Sequence, residues 1–127
     1  LSLNSPSSKI ANAYIEIDNL KEKIEKIIAF KIKSNKEKID KIMQELVMVD
    51  ITHDYVSPIH NYGFMYLTGD QYQFGLGICL GLLNHCDVLV LCDGWETSRG
   101  CKGEYEYAKK HGIATFVLSE WKAMNMI

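Results

Sequence analysis

The chain reads as an α/β domain built on a parallel sheet of about four strands with helices on both faces. Three observations carry that reading. Asp87-Val-Leu-Val-Leu-Cys92 is a short, nearly all-apolar run, as expected of a strand covered on both faces of a parallel sheet. Ile113 to Leu118 is a second such run, rich in β-branched residues. Between them Glu104, Tyr107, Ala108 and His111 recur at helical spacing, and Gly112 supplies a helix stop. Strand, helix and strand make one βαβ unit with a right-handed crossover. Ligands of open parallel sheets sit beyond the carboxyl ends of the strands, so the loop Asp93 to Gly100 is the candidate site.

The other elements follow in chain order. Leu1 to Asn4 reads as the end of a first strand, and Ser5-Pro6-Ser7-Ser8-Lys9 as a polar loop in which Ser7 or Ser8 caps a helix. Leu20, Ile24, Ile27 and Ile28 lie at helical spacing among lysines and glutamates. Ser34-Asn35-Lys36-Glu37 has the form of a capping box, predicting a second helix with Ile39, Ile42, Met43 and Leu46 on its apolar face. Val47-Met48-Val49-Asp50-Ile51 reads as a second strand. Thr52 to Gly69 is a long connection holding His53, Asp54, His60, Asn61 and several aromatic residues, expected as a folded lid or a partner surface. Gln71 to His85 reads as a helix despite Gly75, Gly77 and Gly81, and Trp121, Met124 and Met126 mark an amphipathic tail.

Bulk composition narrows the function classes. At 127 residues, 47% hydrophobic and 24% charged, residues 1–127 fit one globular domain. A net charge of −2 gives no basis for binding a nucleic acid polymer or an acidic membrane surface. Neither an apolar run of membrane-spanning length nor a signal peptide is visible, and a cytoplasmic location is expected. Cys79, Cys86, Cys92 and Cys101 form no CxxC pair and read as reduced core thiols, so no metal site and no cofactor are predicted.

The series Cys86-Asp87, Gly94-Trp95-Glu96, Ser98-Arg99-Gly100 and Glu104 resembles the nucleoside 2-deoxyribosyltransferase superfamily, most closely its small uncharacterised bacterial and phage branch. The resemblance covers Gln71 to Leu118. It implies a flavodoxin-like or Rossmann-like doubly wound sheet, and cleavage or exchange of the N-glycosidic bond of a deoxynucleoside or its 5′-monophosphate. Gly100-Cys101-Lys102-Gly103-Glu104 matches the G-x-x-x-E setting of the family's glutamate nucleophile. The resemblance also implies a homodimer or higher homo-oligomer. Members usually place an aspartate eight residues before the Asp87 position, where this chain has Cys79.

Physical chemistry fits those roles. A carboxylate near a helix N-terminus is expected to stay ionised, and an ionised carboxylate can attack an anomeric carbon. Free N–H groups beside Ser98 form an anion site, and Ser98, Asp93 and Gly100 of this loop, with Asn4, Ser5, Ser7 and Ser8 of the first, are the expected sugar or phosphate contacts. Trp95 offers a flat face for a base. Plainer readings stand beside these: Glu104 as helix-stabilising charge, Ser98 as a cap, Trp95 as a rim residue, Arg99 paired with Glu96 or Glu106. Three functions are in view: a glycosidic-bond enzyme, a non-catalytic nucleotide-binding module, and an oligomeric interaction domain whose long loop and tail bury against a second subunit.

Overall fold

In the computed structural model, residues 6–66 and 69–127 are described, with the side chains of 20–65 and 71–127. The helix α1 spans Pro6–Val49, α2 spans Pro58–Tyr62 and a 3-10 turn follows at Gly63–Tyr66. Helix α3 covers Gly69–Leu83, strand β1 Val88–Leu91, a second 3-10 turn Trp95–Thr97, and helix α4 Arg99–Lys110. Strand β2 is Ala114–Val117 and helix α5 is Leu118–Met124.

The βαβ unit forms as its sequence predicts. β1 and β2 pair in parallel, Val88 opposite Ala114 and Leu91 opposite Val117, with α4 as the crossover. Gly112 takes the left-handed conformation at φ 69°, where a side chain would strain the backbone, and so turns α4 into β2. Leu91 and Ala108 are buried where strand and helix meet.

The four-stranded doubly wound sheet does not form. Among the described residues the sheet has two strands, and the molecule is mostly helical. The expected first strand at Leu1 to Asn4 lies outside the described residues. Val47 to Val49 finish α1 instead of starting a strand, and Ser34 starts no new helix. Once a helix is nucleated, each added residue gains a hydrogen bond, while a β-branched residue or an interior serine costs only about 0.5 kcal/mol. The packing agrees with a helical period. Ile42 and Leu46, four apart, join the core, while Val47, Met48 and Val49 are exposed. Part of the predicted long loop is also helical, folding as α2 and the 3-10 turn with Pro58 at its first position.

The core joins the C-terminal half of α1 to the sheet. Leu46, Leu118 and Trp121 are buried together, and Ile42, Tyr55, Val88, Val90, Cys92, Phe116 and Ile127 pack around them. The tail is therefore partly covered by its own chain, although Met124 and Met126 stay exposed. Among the described residues no helix is long and apolar enough to cross a membrane.

Candidate functional site

The chain leaves β1 through Cys92 and Asp93 and reverses at Gly94, whose φ of 88° is again left-handed. The Trp95–Thr97 turn is closed by Ser98 N–H donating to the Trp95 carbonyl at 3.1 Å and the Thr97 hydroxyl donating to the Gly94 carbonyl at 3.0 Å. Ser98 then caps α4 with extended backbone (φ −93°, ψ 120°), and its hydroxyl oxygen accepts from Cys101 N–H at 3.3 Å. Ser98 is thus a helix cap, the plainer of its two sequence readings. Its oxygen retains a second lone pair and its proton for a ligand.

Glu104 lies beyond the first turn of α4, which begins at Arg99, so the expectation of a carboxylate held ionised by the helix terminus is corrected. Burial pushes its carboxyl up to about 7, because the charged form loses water at the α3–α4 contact. The same contact sets the neighbours. A side chain at Gly100 would meet the Tyr72 hydroxyl at 3.7 Å, and one at Gly103 would meet the Leu76 methyls at 3.7 Å. The Arg99 guanidinium lies 4.9 Å above the Tyr72 ring, a cation–π contact replacing the surface ion pair read from sequence. Burial raises the Tyr72 phenol; Arg99 opposes the rise, and Cys101 and Glu104 add to it. The Cys101 thiol is raised by burial against a lowering hydrogen bond with Ser98, so it is no thiolate. One end of α4 therefore gathers Ser98, Arg99, Gly100, Cys101, Glu104 and, from α3, Tyr72.

The other predicted residues are placed differently. Trp95 packs on Tyr105, ring centroids 4.9 Å apart, with Lys109 over the far ring. Asp93 is exposed. Cys79 is buried in α3. Asn4 and Ser5 lie outside the described residues, whereas Ser7 and Ser8 belong to the first turn of α1 and not to a loop.

A second carboxylate centre went unread in the sequence. Asp50 accepts from Thr52 N–H at 2.9 Å, the Thr52 hydroxyl at 2.6 Å, His53 Nδ1 at 2.8 Å and the Tyr55 hydroxyl at 2.5 Å. Trp121 Nε1 donates to the Tyr55 oxygen at 3.0 Å. These donors, the Thr52 hydroxyl foremost, hold the Asp50 carboxyl far below the usual range. The Asp-x-Thr order, which favours a side-chain turn, was the available signal. Nearby, His60 bridges the Ser57 hydroxyl (2.6 Å) and the Asp40 carboxylate, lining a groove of about 380 Å³ with Tyr55 and Asn61. Hydroxyl, imidazole and carboxylate stand in the order of a nucleophilic triad, but Ser57 is only 8% exposed while the Asp40 side chain is 55% exposed. The bridge acts as a clasp between α2 and α1.

Residues 59–117, which include all of α3, β1, α4 and β2, match a family described as a domain of unknown function (DUF4406). No curated protein and no solved structure matches the chain significantly.

Proposed function

We propose that the turn after β1 and the first two turns of α4 take a nucleoside or nucleoside 5′-monophosphate, and that Glu104 cleaves or transfers its N-glycosidic bond. The observation that carries this reading is Glu104 itself, a carboxyl whose pKa burial raises to about 7 beside Tyr72, Arg99 and Cys101. Perturbed carboxyls of this kind concentrate at working sites. The resemblance of Gln71 to Leu118 to the nucleoside 2-deoxyribosyltransferase superfamily supplies the reaction class, with Glu104 at the nucleophile's position.

In the first half-reaction an ionised Glu104 oxygen bonds to C1′ as the C1′–N bond breaks. The base leaves with the bonding pair and takes a proton from water. Water, or a second base, then displaces the carboxylate. In this reading the Ser98 hydroxyl, which caps α4, and the Arg99 guanidinium, which lies over Tyr72, hold the 5′-phosphate. Because the nucleophile must be ionised, the rate rises with pH through about 7. Incubation with a panel of deoxynucleosides and their 5′-monophosphates, with chromatography for free base, tests this. Base is expected from the wild type, more at pH 8 than at pH 6, and none from Glu104→Ala. No base from any substrate overturns the catalytic reading.

One observation favours a second reading, a non-catalytic nucleotide-binding module. Cys79, at the position where the resemblance expects an acid, is 1% exposed and is a poor proton donor for a leaving base. Calorimetric binding of a 5′-monophosphate without turnover, weakened in Ser98→Ala, would select that reading.

A further inference from the structure

We propose that α1 carries a dimerisation seam, along which two copies of this chain form a parallel two-stranded coiled coil over residues 10–30. Ile10, Ala13, Ile17, Leu20, Ile24 and Ile27 recur in strict alternation of three and four residues, three successive heptads. This register lies within one continuous helix, Pro6–Val49. The domain uses a different part of α1. Ile32 meets Gly63, Asp40 meets His60, and Ile42 and Leu46 enter the core. Leu20, Ile24 and Ile27 remain 58%, 48% and 57% exposed. At about 100° per residue, the seam lies roughly 140° round the helix from the Ile32, Lys36 and Asp40 face. It is in line with Ile42 and Leu46, but Ile27 precedes Ile42 by about 22 Å of helix, and there Leu20, Ile24 and Ile27 stay exposed.

The occupant follows from the register. A seam with period 3.5 is complementary to another helix of the same period, and its own copy supplies one. Isoleucine at each of the first positions, with leucine among the second, favours two parallel strands. Charge agrees with that orientation. Glu16 and Lys21 flank the seam at the positions that face each other across a parallel pair, giving two opposite-sign contacts per dimer. Phe30, 72% exposed, flanks the seam's C-terminal end and would be partly covered by the partner.

Sedimentation equilibrium of the full chain at micromolar concentration tests the proposal. A dimer is expected for the wild type and for Glu22→Lys, which lies outside the seam. Ile24→Lys should raise the dimer dissociation constant roughly a hundredfold while circular dichroism keeps its helical signal. Glu16→Lys should weaken the dimer, and adding Lys21→Glu should restore it, as in a parallel pair alone. A wild-type monomer, a dimer indifferent to Ile24→Lys, a mass above two copies, or no rescue by the double charge exchange would each overturn it.

Discussion

Asp50 and Glu104 are both carboxylates drawn into the protein, and their titrations move in opposite directions. Asp50 ends α1 with four donors directed at its two oxygens, and its acidity is strengthened. Glu104 sits mid-helix under α3, where loss of water is the cause of its shift, and its acidity is weakened to about 7. The difference separates roles. A carboxylate given its full complement of donors is a fastener, since its charge is already spent on neighbours. One that is dried without compensation holds its proton loosely near neutrality, the condition for taking part in chemistry. In this molecule the fastener joins α1 to α5 through Tyr55 and Trp121, while Glu104 lies on the crossover helix.

The largest effect should come from cutting the fastener at its apolar end. Trp121 is 5% exposed, packs on Phe116 and His53, and donates to Tyr55. Trp121→Ala removes the ring and leaves a cavity, so a loss of about 3–5 kcal/mol is expected in urea denaturation. A loss below about 1 kcal/mol would mean that the Asp50 region does not hold α5 in place.

Opposite pH dependences come next in size. The folded Glu104 pKa is raised above its unfolded value, so its contribution is fully present below about pH 4 and is lost as pH rises through about 7. Glu104→Gln should therefore match the wild type at pH 4 and gain about 1–3 kcal/mol at pH 8. Asp50 has the reverse sign. Its folded pKa is depressed, so its contribution is present above about pH 4 and is lost as pH falls further. Asp50→Asn should lower the melting temperature at neutral pH, with the gap to wild type closing in strong acid. Melting curves across pH test both, and parallel wild-type and mutant profiles at either site would remove the contrast.

How much of this was legible depended on whether the physics was local. The βαβ unit could be read because two apolar runs, a helical stripe and Gly112 all lie within Asp87 to Leu118. Ser98 as a cap was equally local, and α4 does begin there. Val47 to Ile51 misled because a short apolar run has no periodicity to separate strand from helix end. The Ser34 capping box misled for a related reason, since a box marks a start only where the preceding turn is not already helical. The state of Glu104 was illegible. It comes from burial, and the α3–α4 contact beside it, where Tyr72 and Leu76 face Gly100 and Gly103, joins segments some thirty residues apart that no local pattern encodes.

The smallest effect concerns a third carboxylate. Glu45 accepts from Lys122 Nζ at 2.8 Å, joining α1 to α5 beside the Asp50 fastener, but its side chain is 48% exposed and that of Lys122 26%. Water already solvates both charges, so the pair gains modest Coulomb energy and spends side-chain entropy to hold one geometry. Glu45→Gln should cost no more than about 1 kcal/mol at low salt, and the cost should fade as salt screens the pair. If burial and donor number decide what each carboxylate does, Glu45 must be the weakest of the three, because it has one partner and no dry surroundings. Chemical denaturation of Glu45→Gln in urea, with and without added salt, measures this. A loss as large as that of Trp121→Ala that disappears in high salt would show that proximity of charges, and not desolvation, governs these sites, and the contrast between Asp50 and Glu104 would then need another cause.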